Sequence, residues 1–117
     1  MKPKWLFPPK GLTVASPSTT VWGLDRVGEN EEVWITEGIF DAISVKGVAV
    51  FGKNPKPLQI RQILAKNPKR IVIAFDTDAI ENAERLQRQL RGLVPTVIEL
   101  PPKGHNDFGE LLPEGYR

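Results

Sequence analysis

The sequence contains no cysteine, one histidine and no long run of apolar residues. The lack of cysteine excludes disulfides, zinc sites built on thiolates and a cysteine nucleophile. No apolar run is long enough to span a membrane and the N-terminus carries no signal-peptide pattern, so we expect a cytoplasmic protein without a membrane partner. Neither a Walker loop nor a GxGxxG sequence is found, and nucleotide binding through those motifs is therefore unsupported.

The composition is that of one soluble globular domain: 117 residues, of which 40% are hydrophobic and 26% are charged. The net charge of +2 is too small to indicate a nucleic-acid ligand by itself. The first acidic residue is Asp25, however, and three lysines precede it, Lys2, Lys4 and Lys10. We predict a basic, proline-rich extended arm over residues 1–20 and a folded domain over 21–117. The arm could lie along a phosphate backbone or be a solvated end.

Short apolar runs alternate with stretches in which apolar residues recur at helical spacing. The runs cover residues 33–36, 48–51, 71–75 and 94–100, and residues 21–24 could add a short strand or edge segment. Such alternation indicates βαβ units, and continuous apolar runs are typical of parallel strands covered on both faces. We therefore predict an α/β fold with about four mainly parallel strands flanked by three or four helices.

Acidic residues follow three of these predicted strands. Glu37 comes directly after the first strand, Asp76 and Asp78 follow the third, and Asp107 lies in the loop after the fourth. Parallel strands of βαβ units end at the same edge of the sheet, and ligands of open α/β sheets bind at that edge. The sequence therefore predicts that four carboxylates from three strand ends converge.

Asp76 and Asp78 are separated by one residue, so their side chains point the same way if the chain stays extended. Two carboxylates so placed repel each other unless a cation lies between them, and oxygen ligands favour Mg²⁺, with Mn²⁺ as a substitute. Asp41, four residues beyond Glu37, could face the same cleft. The alternative is structural: Asp-x-Asp is common in solvated turns, and Asp78 could cap the helix that begins near Ala79.

Three segments of the sequence together resemble the Toprim family. TEGIFDA at 36–42 resembles its first motif, IVIAFDTDA at 71–79 resembles its second, and LPPKGHNDFGEL at 100–111 resembles its third. The segment FGK at 51–53, with Gln59, is similar to the primase branch of the family. The resemblance covers roughly residues 33–112, and its motifs are specific jointly and in order.

The resemblance implies a compact, Rossmann-like Toprim fold and a role for each matching acid. Glu37 matches the glutamate proposed as general acid or base, and Asp76 and Asp78 match the metal-binding pair. Asp41 matches a supporting acid, and Asp107 matches the acid of the third motif. That third motif departs from the primase pattern Lys-Asp-x-Asp, because its basic residue and its second acid are both absent, although Glu110 is adjacent.

The resemblance also implies a primase-like activity: Mg²⁺-dependent nucleotidyl transfer on nucleic acid, with DNA favoured over RNA. Because primases use a zinc-binding module and a helicase, a partner of either kind is expected. A Toprim nuclease and a non-catalytic nucleic-acid-binding module remain alternatives. Lys53, Lys103 and His105 lie in loops near the predicted edge, where they could contact phosphate or be solvated loop residues.

Overall fold

The structure, a computed structural model, describes residues 20–112. Its strands are β1 (Glu32–Thr36), β2 (Val48–Ala49), β3 (Arg70–Ile73) and β4 (Thr96–Ile98), and its α-helices are α1 (Ile39–Val45), α2 (Pro57–Leu64) and α3 (Ile80–Leu90). All four strands pair in parallel, in the order β2-β1-β3-β4. The predicted α/β fold is confirmed. Apart from Thr20, the predicted basic arm lies outside the described residues.

The two central strands are buried on both faces, as their continuous apolar runs predict. Alternate side chains of β1 and β3, among them Val33, Ile35, Ile71 and Ile73, join one hydrophobic core. The buried face of α3 packs into the same core through Ala83, Leu86 and Leu90, which recur at helical spacing. This packing fixes β1 beside β3 with Ile35 opposite Ile73, so both strands end level at the carboxyl edge.

Several strands are shorter than the apolar runs that predicted them. The second run covers 48–51, but β2 ends at Ala49, and Phe51 adopts a left-handed backbone with φ of 61°. The backbone turns there, which carries the following loop across the carboxyl edge. Residues 21–24 do not form a strand, since Trp22 makes a single antiparallel bridge with Ala49. None of the helices in residues 20–112 has the length and apolar character needed to cross a membrane.

Gly47 allows the end of α1 to lie directly against β1. A Cβ atom built on Gly47 would lie 2.4 Å from the carbonyl oxygen of Trp34 and 2.8 Å from its Cβ. The Gly47 N–H also donates to the carbonyl of Ala42, which closes the last turn of the helix. Neither neighbouring atom is the flexible end of a side chain, so a larger residue would force the helix away from the sheet.

We predict that Gly47→Ala lowers the free energy of unfolding by about 1–3 kcal/mol through this overpacking. Urea denaturation followed by tryptophan fluorescence measures the change. Gly28→Ala is the matched control, because a Cβ there would meet only the end of the flexible Glu31 side chain, at 3.3 Å. Equal midpoints for Gly47→Ala and the unmodified chain would show that the contact does not constrain the fold.

Candidate metal centre

Thr36, the last residue of β1, fixes the backbone that carries Glu37. Its side chain is fully buried, and Oγ1 lies 2.9 Å from the carbonyl oxygen of Val48 and 3.0 Å from that of Gly38. The carbonyl oxygen of Glu37 accepts the N–H of Gly52 at 3.0 Å. The backbone around Glu37 is thus held on both sides, and its carboxylate is directed over the carboxyl edge of the sheet.

Glu37, Asp76 and Asp78 come together as predicted. The Asp76 N–H donates to Glu37 Oε2 at 2.8 Å, which joins the ends of β1 and β3. Asp78 follows in a 3-10 turn, Thr77–Ala79. Each of the three acids offers a carboxylate oxygen within 4.8 Å of the other two, and we call this set the first acidic cluster. α3 has no side-chain cap, so the alternative role of Asp78 as a helix cap is not realised.

A second acidic cluster consists of Asp41, Asp76 and Asp107, whose carboxylate oxygens also lie within 4.8 Å of one another. Asp76 belongs to both clusters. Asp41 Oδ1 accepts the N–H of Gly109 at 2.6 Å. A Cβ atom at Gly109 would lie 3.0 Å from that oxygen and 3.3 Å from Asp107 Oδ1. Glycine therefore lets the backbone approach both carboxylates closely.

The loop that carries Asp107 is attached to the rest of the site at several points. The N–H of Thr77 donates to the carbonyl of Asn106 at 2.9 Å, which links this loop to the turn containing Asp78. Asp107 Oδ1 accepts the N–H of Glu110 at 2.9 Å at the start of a 3-10 turn, Phe108–Leu111. Phe108 is buried and meets the ring of Trp34 edge-on, with ring centroids 6.3 Å apart.

Two of the clustered acids, Asp76 and Asp41, have raised pKa values. Burial, followed by the charges of Glu37, Asp41, Asp107 and Asp78, raises the pKa of Asp76 to about 7. Burial also raises the pKa of Asp41, against the opposing effect of its hydrogen bond from Gly109. Both shifts mean that the ionised form is disfavoured where these carboxylates lie. A cation would reverse that balance.

The residues of the two clusters fit a hard divalent cation. Asp76 Oδ1 is buried and has no hydrogen-bond partner within residues 20–112. Burying a carboxylate oxygen without a partner costs free energy, and a bound cation would supply the missing partner. Oxygen atoms bound to one hard cation at roughly 2.0–2.6 Å lie within about 4–5 Å of one another, a spacing similar to that of each cluster. All the ligand atoms are carboxylate oxygens, which favour cations such as Mg²⁺ and Mn²⁺ over soft metals.

The other predicted site residues lie outside the two clusters. Glu110 accepts the N–H of Asn106 at 3.1 Å, and the same oxygen lies 3.3 Å from His105 Nδ1. Glu110 and His105 thus pair with each other at the base of the Asp107 loop. Lys53 and Lys103 are exposed in loops of the carboxyl edge. Their predicted contact with phosphate stays a prediction.

Two residues that shape the site were missed by the sequence analysis. Gly109 stands where the primase pattern has its second acid, and its N–H instead donates to Asp41. Its position two residues after Asp107 could have suggested a close backbone approach. Thr36 was assigned to the strand and to the first motif without a role of its own, and its double contact with the carbonyls of Gly38 and Val48 has no signal in the sequence.

We predict that in a chelating buffer the protein loses stability as pH rises from about 4 to about 7. The ordinary pKa of an aspartate is about 3.9, and that of Asp76 is about 7 in the folded chain. In this window the folded chain therefore holds a proton that the unfolded chain has released, so raising the pH favours unfolding. Thermal melts across the window measure the slope. Asp76→Asn should flatten it, and an unchanged slope in that variant would contradict the assignment.

We also predict that Asp76→Asn combined with Asp78→Asn abolishes divalent-ion binding while preserving or raising stability in chelator, because it removes two mutually repelling charges. Calorimetric titration with Mn²⁺ measures the binding. Glu81→Gln combined with Glu84→Gln on the exposed side of α3 removes the same charge and should leave binding intact. Wild-type Mn²⁺ affinity in the Asp76/Asp78 variant would place the ion elsewhere.

Comparison with known proteins supports the fold. No family model matches the sequence, and the search of curated proteins found no match. Among solved structures, the primase fragment of the bacteriophage T7 primase-helicase protein is similar, with a TM-score of 0.56 and 17% sequence identity over 80% of this chain and 43% of that chain. The chain therefore spans less than half the length of this neighbour. At that identity the likeness is one of fold alone: this chain has an α/β fold similar to that of the primase fragment, and it bears acidic residues that could bind a divalent metal.

Proposed function

We propose that this chain is a primase-like domain of the Toprim type, in which Glu37, Asp76 and Asp78 hold Mg²⁺ for nucleotidyl or phosphoryl transfer on nucleic acid. One observation carries the proposal. Among the described residues, the buried oxygen Asp76 Oδ1 has no hydrogen-bond partner, and it lies where carboxylates from two adjacent strand ends meet. A shared cation would satisfy that oxygen and relieve the repulsion that disfavours ionised Asp76.

Each acid would have a distinct part in the reaction. A bound Mg²⁺ supplies neutralisation of phosphate charge and polarisation of the phosphoryl oxygen. Glu37 is fixed by the N–H of Asp76 at 2.8 Å, so its carboxylate is positioned to accept a proton from an attacking hydroxyl group. Asp41 and Asp107 border the same cleft through Asp76 and would position the ion or a second one. Chemistry of this kind depends mainly on positioning and electrostatics.

The primase branch is favoured by two features. The fold is similar to the primase fragment of the T7 primase-helicase protein, and the residues FGK at 51–53 with Gln59 resemble that branch. Gln59 is buried, and its Nε2 donates to the carbonyls of Thr20 and Val50 at 2.9 Å. It thus secures the loop beside Glu37. Because the neighbour is part of a primase-helicase protein, we propose that this chain acts with a partner, a helicase or a zinc-binding primase module, on DNA in preference to RNA.

A Toprim nuclease would use the same acids with water as the nucleophile. A non-catalytic module would keep the ion for structure and binding alone. Incubation of labelled single-stranded and double-stranded DNA with Mg²⁺ or Mn²⁺ separates these classes when nucleotides are supplied in one arm and withheld in the other. Strand extension identifies a polymerase, and shortening without nucleotides identifies a nuclease. Binding with neither reaction identifies the module.

We predict that Glu37→Gln lowers whichever catalytic rate the protein has by about 10²-fold or more, the scale of a lost general base, while DNA affinity stays within about threefold. Rates and affinities are measured on the same labelled substrate. Glu81→Gln, an exposed acid on α3, is the matched control and should retain full activity. Full activity in Glu37→Gln would remove Glu37 from the reaction, and a proportional loss of DNA binding would assign it to binding instead.

A further inference from the structure

Charge is distributed unevenly along the central part of the chain. Between Asp41 and Asp76 there is no acidic residue, while seven basic residues occur: Lys46, Lys53, Lys56, Arg61, Lys66, Lys69 and Arg70. This segment contains β2, the loop after it and α2. The acids that bound the segment, Asp41 and Asp76, belong to the acidic clusters. The carboxyl edge of the sheet therefore has acidic residues at its centre. The loop that joins β2 to α2, beside them, contains basic residues and no acidic ones.

The loop after β2 lies directly beside the first acidic cluster. The N–H of Gly52 donates to the carbonyl of Glu37 at 3.0 Å. Phe51, with φ of 61°, turns the chain at that point, and Lys53 and Asn54 follow, both exposed. A basic and a polar residue thus directly follow the backbone segment that is hydrogen-bonded to Glu37, the residue that we propose as the general base.

Asn54 joins this loop to α3. Its Oδ1 accepts a hydrogen bond from Nδ2 of Asn82 at 2.8 Å and a longer one from a terminal nitrogen of Arg85 at 3.4 Å. Asn82 lies in the first turn of α3, which follows the 3-10 turn that contains Asp78. The three side chains therefore form one hydrogen-bonded group between the loop after β2 and the start of α3. We call Asn54, Asn82 and Arg85 the amide-arginine group.

Arg85 has a closer sequence partner that it does not use. Glu81 precedes it by four residues, the spacing at which helix ion pairs form. Within residues 20–112 the ion pair made by an arginine or a lysine is Arg70 with Glu32, so Arg85 and Glu81 do not pair. One guanidinium nitrogen of Arg85 contacts Asn54, and within the same residues its other nitrogens make no hydrogen bond. An arginine oriented in this way is suited to bidentate binding of phosphate.

We propose that the amide-arginine group, with Lys53, binds a phosphodiester of the nucleic-acid strand that flanks the reacting phosphate at the acidic clusters. This inference rests on the proposed function and identifies the residues that would bind the nucleic-acid strand at that site. The acids alone repel a polyanion, so a strand reaches the ion only if basic groups nearby attract its neighbouring phosphates. Arg85 provides a planar guanidinium on α3, and Lys53 provides a second positive charge in the loop of Asn54.

Fluorescence anisotropy with a fluorescein-labelled single-stranded oligonucleotide tests the proposal, using the full chain in Mg²⁺ without nucleotides, over a series of salt concentrations. Arg85→Ala should weaken binding about tenfold and reduce the slope of log affinity against log salt by about 0.7, one phosphate contact. Asn54→Ala keeps the charge but releases the guanidinium, so it should weaken binding about threefold with the slope nearly unchanged.

Arg88→Ala is the matched control, because Arg88 is an equally exposed arginine on α3 with the same charge. It should bind within twofold of the unmodified chain. Thermal melts establish that all variants fold. Equal affinities and slopes for Arg85→Ala and Arg88→Ala would overturn the amide-arginine site and leave the proposed function standing. An unmodified chain that binds no oligonucleotide would overturn both.

Discussion

The hydrogen bond from the Asp76 N–H to Glu37 Oε2 is the contact on which the acidic site depends. The two residues are 39 positions apart in the sequence, and the bond joins them at 2.8 Å across the ends of β1 and β3. It forms because the parallel register of these strands brings both ends level at one edge. A backbone donor also lowers the cost of placing the Glu37 carboxylate beside further acids, since charge-assisted hydrogen bonds are strong.

The other carboxylates of the site lie close together although their negative charges repel one another. Burial and neighbouring charges raise the pKa of both Asp76 and Asp41, so the folded chain carries an electrostatic cost at this edge. The hydrophobic core beneath the edge, which includes Ile35, Ile73 and Phe75, offsets that cost. Such local conflict between stability and charge is typical of functional sites, where proteins depart from the arrangement that would be most stable.

The parts of the fold that follow from periodicity could be predicted. Apolar runs such as 71–75 gave the strands of the sheet, and Ala83, Leu86 and Leu90 gave the buried face of α3. Parallel topology then placed Glu37, Asp76 and Asp78 at one edge, which the structure brings together. These predictions succeeded because burial and strand direction act over whole elements.

Features that depend on single backbone angles or on contacts across loops could not be predicted. Phe51 ends the second apolar run early through a left-handed φ that is uncommon for a bulky residue. Arg85 lies four residues after Glu81, the spacing of a helix ion pair, whereas its guanidinium contacts Asn54 in a distant loop. Spacing along a helix predicts which residues are neighbours on that helix. It does not predict which residues of a distant loop will contact the helix in the folded chain.

The attachment of the Asp107 loop at both of its sides has a thermodynamic consequence. Asn106 is bonded to Thr77, beside the first acidic cluster, and Gly109 is bonded to Asp41 in the second. The loop therefore cannot detach without freeing backbone groups at both clusters at once. If a cation binds the acids as proposed, its binding and the ordering of this loop are linked equilibria, so each favours the other. The backbone amides of Thr77 and Gly109 become internal reporters of that linkage, since their rates of exchange with solvent deuterium depend on how often the loop opens.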